Sequence, residues 1–172
     1  FDGINLQLIL FSFFMFIIFI LKGIFLNFLL VILICLFFLL ILNYKNKIFL
    51  GDSGAFILSG IISFILINQY NNNPNFFLTD EIFIILMVPG LDMFRLFIFR
   101  LYRRKSPFKG DLKHLHHLIK AKYENIITVN FIISLFYIIP FIFLFSGVKT
   151  YIILAIYSLI YAFTIINLQK KN

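Results

Sequence analysis

Six long apolar segments separated by short polar stretches constrain this chain more than any other feature. Since backbone exposed to lipid must satisfy its own hydrogen bonds, such segments cross a bilayer as helices. About 20 residues span the roughly 30 Å hydrocarbon core, so the sequence predicts an all-α, polytopic transmembrane helix bundle with about six spans. The first and third segments are short, and we expect them to extend into their polar flanks or to lie inside the bundle. The segments run approximately over Leu8–Leu21, Ile24–Leu42, Gly54–Ile67, Ile82–Phe99, Ile126–Phe145 and Tyr151–Ile166.

The composition agrees with a membrane protein, because 62% of the residues are hydrophobic. A net charge of +8 in a soluble protein would suggest a nucleic-acid partner. Here the basic residues flank the apolar segments, where the positive-inside rule accounts for them. We therefore predict a membrane partner and no nucleic acid.

The basic residues also predict the orientation of the spans. If the six segments alternate across the membrane, one set of loops holds twelve lysines and arginines and the opposite set holds only Lys22 and Lys149. The positive-inside rule places the richer set in the cytoplasm. The twelve are Lys45, Lys47, Arg100, Arg103, Arg104, Lys105, Lys109, Lys113, Lys120, Lys122, Lys170 and Lys171.

Two polar motifs on the predicted cytoplasmic side precede apolar segments. In "FLGDSGAF", Asp52 and Ser53 stand between two glycines before the third segment. One interpretation is an N-cap, in which either side chain accepts bonds from the first-turn amides. The other is an anion or metal site, since a helix N-terminus favours phosphate and a carboxylate can hold Mg²⁺ on it. The opening "FDGINLQ" is either an Asp-Gly turn or a polar turn that contacts a nucleotide.

A carboxylate interrupts the fourth segment in "VPGLDMFRLFIFRLYRR". Asp92 and Arg95 are three residues apart, so they can pair on one helical face, and Arg100 follows two turns after Asp92. The bland alternative is an intrahelical ion pair followed by arginines that extend to the interface. A carboxylate within a span is costly and usually functional, which favours a role for Asp92 in the site.

The stretch "PFKGDLKHLHHLIKAKYEN" holds all three histidines of the chain and Asp111. It is interpreted as a solvated basic loop, a zinc site or a phosphate-binding site. The spacing fits no common zinc pattern well, whereas histidines and Arg100 are suitable donors to diphosphate oxygens. An enzyme that uses a cytosolic and a lipid substrate would keep such groups at the cytoplasmic side. A metal-ion or proton transporter would place them near mid-membrane, where only Asp92 and Arg95 qualify.

These motifs, in this order, resemble those of the polyprenyl-phosphate N-acetylhexosamine-1-phosphate transferases, also called glycosyltransferase family 4. The "HxHH" form after Ser-Pro-Phe looks more like the branch that uses UDP-N-acetylglucosamine and undecaprenyl phosphate. Asn5 stands where the first family motif has its second aspartate. The matching residues are Asp2-Gly3, Gly51-Asp52-Ser53-Gly54, Pro89 with Asp92 and Arg100, and Ser106-Pro107-Phe108 with Asp111, His114, His116 and His117.

The resemblance implies a reaction and its partners. The phosphate of a polyprenyl phosphate, such as undecaprenyl phosphate, attacks the β-phosphorus of a UDP-sugar, and UMP leaves. The product starts a cell-envelope glycan such as the O-antigen of lipopolysaccharide. The cofactor is Mg²⁺, with Mn²⁺ as an alternative, and the enzyme lies in the inner (plasma) membrane with its site facing the cytoplasm. A homodimer is left open, as is an inactive structural homologue.

The resemblance also implies roles for individual residues. Asp52 is the expected metal ligand and a catalytic residue, together with Arg100, His114, His116 and His117. The expected substrate-binding residues are Asp2, Asn5, Phe49, Ser53, Asp92 and Asp111. We expect residues 1–172 to form one transmembrane domain, the C-terminal part of a longer one whose upstream helices carry paired aspartates. The 172 residues alone are then expected to be inactive, and the motifs to converge in one cytoplasmic pocket.

Overall fold

The structure, a computed structural model, describes residues 6–73, 78–104, 106 and 113–169. Within these ranges it contains seven α-helices and no strand, which confirms the predicted all-α class. The helices are α1 (Gln7–Leu21), α2 (Leu26–Tyr44), α3 (Gly51–Asn72), α4 (Thr79–Tyr102), α5 (Leu115–Lys122), α6 (Ile126–Phe145) and α7 (Thr150–Gln169).

Five of these helices, α2, α3, α4, α6 and α7, are long and apolar enough to cross a membrane. The first apolar segment forms the shorter helix α1, whose 15 residues correspond to only about 22 Å. The third segment extends into its polar flanks at both ends, as one of the two expectations had it, and becomes the 22-residue α3. Most of the surface of these helices faces outward: only 17% of the most apolar window of α2 is buried. Such apolar outer surfaces suit lipid rather than water.

The described residues fall into two compact units, which comprise Phe1–Phe77 and Leu78–Asn172. In the first unit α1 packs against α2 and α3. Its side chains Met15, Phe16 and Phe19 are fully buried. The shorter helix is therefore the interior element of its unit, which explains how 15 residues that are too few for a typical span still form a stable helix. The prediction of a single domain over residues 1–172 stays a prediction.

The second unit is built on α4, α6 and α7, with the short α5 packed against α6 and α7. Part of its core is an apolar cluster of α4 and α7 side chains that includes Ile84, Met87, Ile153 and Tyr157. The α6 bounds match the predicted span. Asn125 explains where α6 begins, because its side chain accepts the Ile127 N–H at 2.9 Å as an N-cap.

The fifth helix corrects the interpretation of the histidine stretch as a solvated loop. Residues Leu115–Lys122 form two helical turns with one buried face, which carries Leu115, His116, Leu118 and Ile119. Lysines occupy the exposed positions 120 and 122. A solvated loop was one of the three interpretations of the stretch, but its leucines and isoleucine recur at helical spacing and pack into the second unit.

Candidate functional site

Asp92 is the centre of a buried polar network in the second unit. It lies on α4, and only 6% of its surface is exposed. Oδ1 accepts bonds from the Arg95 guanidinium at 2.8 Å and the Tyr161 hydroxyl at 2.7 Å. Oδ2 lies 2.8 Å from Nδ1 of His114, and the Leu115 N–H is shared between both oxygens at 3.1 and 3.2 Å. We call these five residues the Asp92 network.

The Arg95 guanidinium bonds to Asp92, to Tyr161 and to the backbone just before α5. Its Nε donates to the Tyr161 hydroxyl at 2.8 Å, and its Nη2 donates to the Lys113 carbonyl at 2.6 Å as well as to Asp92. The predicted pairing of Asp92 with Arg95 is therefore confirmed. It is more than an ion pair within one helix, because the same guanidinium also holds α7 and the chain segment that leads into α5. Each polar group of the pair thus has partners that offset its removal from water.

Asp92 also determines where α5 begins. His114 occupies the N-cap position of α5, but its side chain makes no capping bond to the helix. The N–H of Leu115, the first helical residue, instead donates to the Asp92 carboxylate. First-turn N–H groups have no partner within their own helix, and an anion at this end is favourable. A carboxylate 23 residues earlier in the chain therefore caps the histidine-bearing helix.

The three histidines form a compact group, which we call the histidine cluster. The rings of His114 and His116 are parallel within 4°, with centroids 5.4 Å apart. The His117 ring is tilted, and its centroid lies 4.3 Å from that of His116. His116 is buried, whereas His114 and His117 are partly exposed. The structure thus brings together the three imidazoles that the sequence singled out, with His116 in the middle.

Burial determines the charge of His116. Its removal from water, followed by the nearby His117 and His114 rings, lowers the pKa of His116 from 6.5 to about 3. Its Nε2 is buried and has no hydrogen-bond partner among the described residues. At neutral pH His116 is therefore an uncharged ring. As an uncharged ring it does not supply positive charge to an anion, and its expected catalytic role stays a prediction.

The Asp92 network lies well inside α4 rather than at its end. Asp92 is ten residues before Tyr102, the last residue of α4, or about 15 Å along the helix axis. His114 and the start of α5 contact this depth of α4. His114 and the first residue of α5 therefore lie against α4 at Asp92, within the length of that helix rather than beyond its end. The sequence placed the histidines in a loop beyond the helix end.

Basic side chains occupy the last turns of α4. Arg100 is half-buried there. The Arg103 guanidinium and the Lys113 ammonium lie over the Phe99 ring, at 4.5 and 4.6 Å from its centroid. Such cation–π contacts hold the charged groups near an aromatic face. This end of the second unit is therefore suited to an anionic ligand.

In the first unit Asp52 contrasts with Asp92. The helix α3 begins at Gly51, so Asp52 and Ser53 lie in its first turn, and no side chain caps it. The N-cap interpretation of these two residues is therefore wrong. Both are exposed, and the Asp52 carboxylate has no hydrogen bond or ion pair to the described residues. Gly51 has a φ of +63°, a conformation that other residues adopt only with strain, which explains the glycine before this aspartate.

Asn43 fixes the loop that leads to this helix. Its side-chain oxygen accepts the Leu6 N–H at 2.8 Å, and its amide donates to the Ile48 carbonyl at 3.0 Å. Leu6 near the end of the first motif and Ile48 directly before the second are thus tied to one buried side chain. Phe49 follows Ile48 and is 66% exposed, so its ring is available for stacking. Asp2, Asn5 and Asp111 lie outside the described residues.

The donors suit magnesium better than zinc. Within the ranges that the structure describes, no group of three or more histidine, cysteine or acidic side chains could hold a metal ion. Mg²⁺ does not need such a group, because it commonly takes one or two carboxylates together with phosphate oxygens and water. An exposed, unpaired carboxylate such as Asp52 fits that requirement. Asp92 does not, since its lone pairs already accept four donor groups.

Sequence reasoning missed two residues that organise the site, Tyr161 and Asn43. Tyr161 lies in the last apolar segment, on the same buried face as Tyr157. A phenol hydroxyl that enters a bundle usually finds a partner, so a tyrosine at a helical interval on a buried face was the available signal. Asn43 directly follows an apolar segment, and its amide was the only signal that the sequence offered.

Comparisons with known proteins found partial relatives. Over 79 residues, or 46% of this chain, the sequence is 31% identical to the undecaprenyl-phosphate alpha-N-acetylglucosaminyl 1-phosphate transferase of Escherichia coli (strain K12). The enzyme of the same name from Yersinia pestis is 30% identical over 79 residues, and that from Pasteurella multocida (strain Pm70) is 32% identical over 75. The match spans only 22% of the length of the first two relatives. No family model and no solved structure matches the chain.

Proposed function

We propose that this chain belongs to the polyprenyl-phosphate N-acetylhexosamine-1-phosphate transferases. In this proposal it transfers a sugar 1-phosphate, N-acetylglucosamine 1-phosphate in the first instance, from a UDP-sugar to undecaprenyl phosphate and releases UMP. The observation that carries the proposal is the ordered histidine cluster on a capped helix, in a chain whose partial relatives are named for this transfer. Initiation of a cell-envelope glycan such as the O-antigen follows from the same proposal.

The main physical problem of such a reaction is the approach of two anions. A polyprenyl phosphate and a sugar nucleotide diphosphate repel each other until their charges are offset. Positive and hydrogen-bond-donating groups suited to this task are His114, His117 and Arg100 in the second unit. Fixed donors of this kind stabilise charge that develops on phosphate oxygens without having to reorganise. We assign these three side chains to contacts with the diphosphate or the sugar.

Asp52 is the residue we assign to Mg²⁺, with Mn²⁺ as an alternative. A divalent ion bound there would neutralise diphosphate oxygens and stabilise the leaving group. Ser53 and Phe49 are assigned to the substrate, Phe49 by stacking of its exposed ring on the uracil base. Asp2, Asn5 and Asp111 stay predicted substrate contacts, as does the expectation that the motifs form one pocket.

Asp92 receives a different role from the one that the resemblance implied. A carboxylate that already accepts bonds from Arg95, Tyr161, His114 and the α5 backbone has no acceptor site left for substrate. We infer that it holds the histidine cluster in place. The same closure argues against the transporter alternative, because a residue on an ion path must exchange partners with the passing ion.

The proposed location is the inner (plasma) membrane, with the histidine cluster facing the cytoplasm. The distribution of twelve basic residues against two supports this orientation. Exposed Arg103 and Arg104 would in addition attract anionic lipid, at about 1 kcal/mol each. Labelling of an introduced cysteine at exposed position 120 by a membrane-impermeant reagent, in intact cells and in inverted vesicles, tests the orientation. Reaction from the outside of intact cells would refute it.

The activity is tested with the full-length protein as the cell produces it, in lipid nanodiscs. Radiolabelled UDP-N-acetylglucosamine, undecaprenyl phosphate and Mg²⁺ are expected to give a labelled lipid and free UMP. Asp52→Asn is expected to abolish transfer without preventing membrane insertion. The matched control is Asp80→Asn, which alters an exposed acid at the start of another helix and should leave transfer unchanged.

Two outcomes would contradict the proposal. Normal transfer by Asp52→Asn would refute the metal assignment. No transfer from any UDP-sugar by a correctly inserted, helical protein would favour an inactive structural homologue.

A further inference from the structure

We infer that Asp92 acts as a positioning residue that fixes the ring of His114, keeps a proton on its Nδ1 and leaves Nε2 for the substrate. The inference rests on the proposed function in one respect, which is that the group in contact with Nε2 is a phosphate oxygen of the substrate. Neither the relatives' names nor the motif pattern assigns this role to Asp92.

The hydrogen-bond directions follow from the chemistry of each group. The Arg95 Nε–H can only donate, so the Tyr161 oxygen accepts from it, and the Tyr161 O–H is directed at Asp92 Oδ1. Nη2 of Arg95 and the Leu115 N–H also only donate. A carboxylate that receives all of these donors is an acceptor. The 2.8 Å contact between Asp92 Oδ2 and His114 Nδ1 therefore carries its proton on the imidazole nitrogen.

The carboxylate itself cannot turn away from His114. Its donors come from α4, from α7 and from the start of α5, so rotation would break bonds to three parts of the unit. The adjacent Leu115 N–H is held by the same carboxylate, which fixes the backbone next to the His114 ring. Carboxylates that hold an imidazole in this way set which of its nitrogens is presented to a ligand.

One face of the His114 ring is held as well. His114 stacks in parallel on His116, which is buried at 7% exposure. About a third of the His114 side chain is exposed, against 9% for Asp92. The ring is thus fixed at Nδ1 and on one face while part of it stays accessible. Nε2 then donates to a phosphate oxygen when the ring is protonated and accepts a hydrogen bond when it is neutral.

Nitrogen NMR of the imidazoles tests the inference without any activity assay. Residues 1–172 hold three histidines, and in the ¹⁵N-histidine-labelled full-length protein in nanodiscs the His114→Gln variant assigns the His114 signal by its loss. In its neutral form His114 is expected to show Nδ1–H with an unprotonated Nε2. Free neutral imidazole side chains prefer the opposite tautomer, and Asp92→Ala should move His114 toward it. An Nε2–H tautomer in the unmodified protein would overturn the inference even if the variant failed to fold.

Kinetics give a second, independent readout once transfer is measured. If Asp92 acts through His114, Asp92→Asn lowers kcat by about 10–100-fold with little change in KM, as is usual when a carboxylate that orients a functional imidazole is lost. The double variant with His114→Gln should then be no slower than His114→Gln alone. Fully multiplicative losses would refute the coupling. Absence of transfer with the Nδ1–H tautomer in place would refute the proposed function and leave the positioning inference standing.

Discussion

Replacement of Tyr161 by phenylalanine is the sharpest probe of the Asp92 network. The change removes one hydroxyl from α7 and leaves the ring that packs inside the second unit. That hydroxyl donates to Asp92 at 2.7 Å and accepts from Arg95 at 2.8 Å, so two bonds to charged groups are lost at once. Tyr161 is only 6% exposed, so water cannot readily replace it.

The expected cost follows from the type of bond. Hydrogen bonds to charged groups contribute about 1.5–3 kcal/mol each, and the loss of two that share one hydroxyl is not fully additive, so we expect a loss of about 2–4 kcal/mol. Uncharged pairs within membrane bundles average about 0.6 kcal/mol, so two of them would give only about 1.2 kcal/mol. A loss above that value indicates that the charges of Asp92 and Arg95 contribute.

The assay is equilibrium unfolding in mixed micelles with increasing dodecyl sulfate, followed by circular dichroism. Tyr157→Phe is the matched control, because it makes the same change one turn earlier on α7 at a similar exposure of 7%. The Tyr157 hydroxyl makes no hydrogen bond to the described residues, and its loss should change stability by less than about 0.5 kcal/mol. Equal effects of the two substitutions would refute the idea that Tyr161 holds α7 to α4.

Three further predictions concern other parts of the chain. Because the pKa of His116 falls from 6.5 to about 3 on folding, only the unfolded chain binds this proton between those values. Stability should therefore decrease as pH falls below 6.5, by up to about 1.4 kcal/mol per pH unit, and His116→Gln should flatten the curve measured by thermal unfolding. Asn43→Ala should cost about 1–3 kcal/mol in the mixed-micelle assay, since it leaves a buried Leu6 N–H and a partly buried Ile48 carbonyl unpaired, while Asn68→Ala, at an exposed pair, should cost much less. Gly51→Ala should cost about 1–2 kcal/mol because of its positive φ, with Gly60→Ala, which meets no neighbour, as the control.

The sequence predicted the local structure of the spans well, for a physical reason. A lipid-exposed backbone must form its hydrogen bonds within its own segment, as a helix does, so the length of an apolar segment indicates where a helix lies. The predicted span Ile126–Phe145 coincides with α6, and α3 and α4 differ from their predictions by extension into polar flanks. The pairing of Asp92 with Arg95 was also predictable, because it depends only on their spacing along one helix.

The site was predictable only in part. The three histidines could be selected because their chemistry and spacing are unusual in a membrane protein. Their arrangement could not, because α5 needs a cap from Asp92, 23 residues away, and a short, charged stretch has little reason to be helical without it. From the sequence, Asp52 and Asp92 were equally plausible site residues. Only the structure distinguishes them, because Asp52 is exposed and unpaired whereas Asp92 is buried with every acceptor site filled.

By itself, then, the sequence determined that this chain is a bundle of membrane-length helices with its chemistry in a few polar stretches, because burial of apolar residues and internal backbone bonding are local demands. Only the tertiary structure decided which polar groups meet. Tyr161 and Asp92 are 69 residues apart, and their contact exists because α4 and α7 pack together in the second unit. A buried hydroxyl needs a partner, but it is the packing of helices that chooses which one.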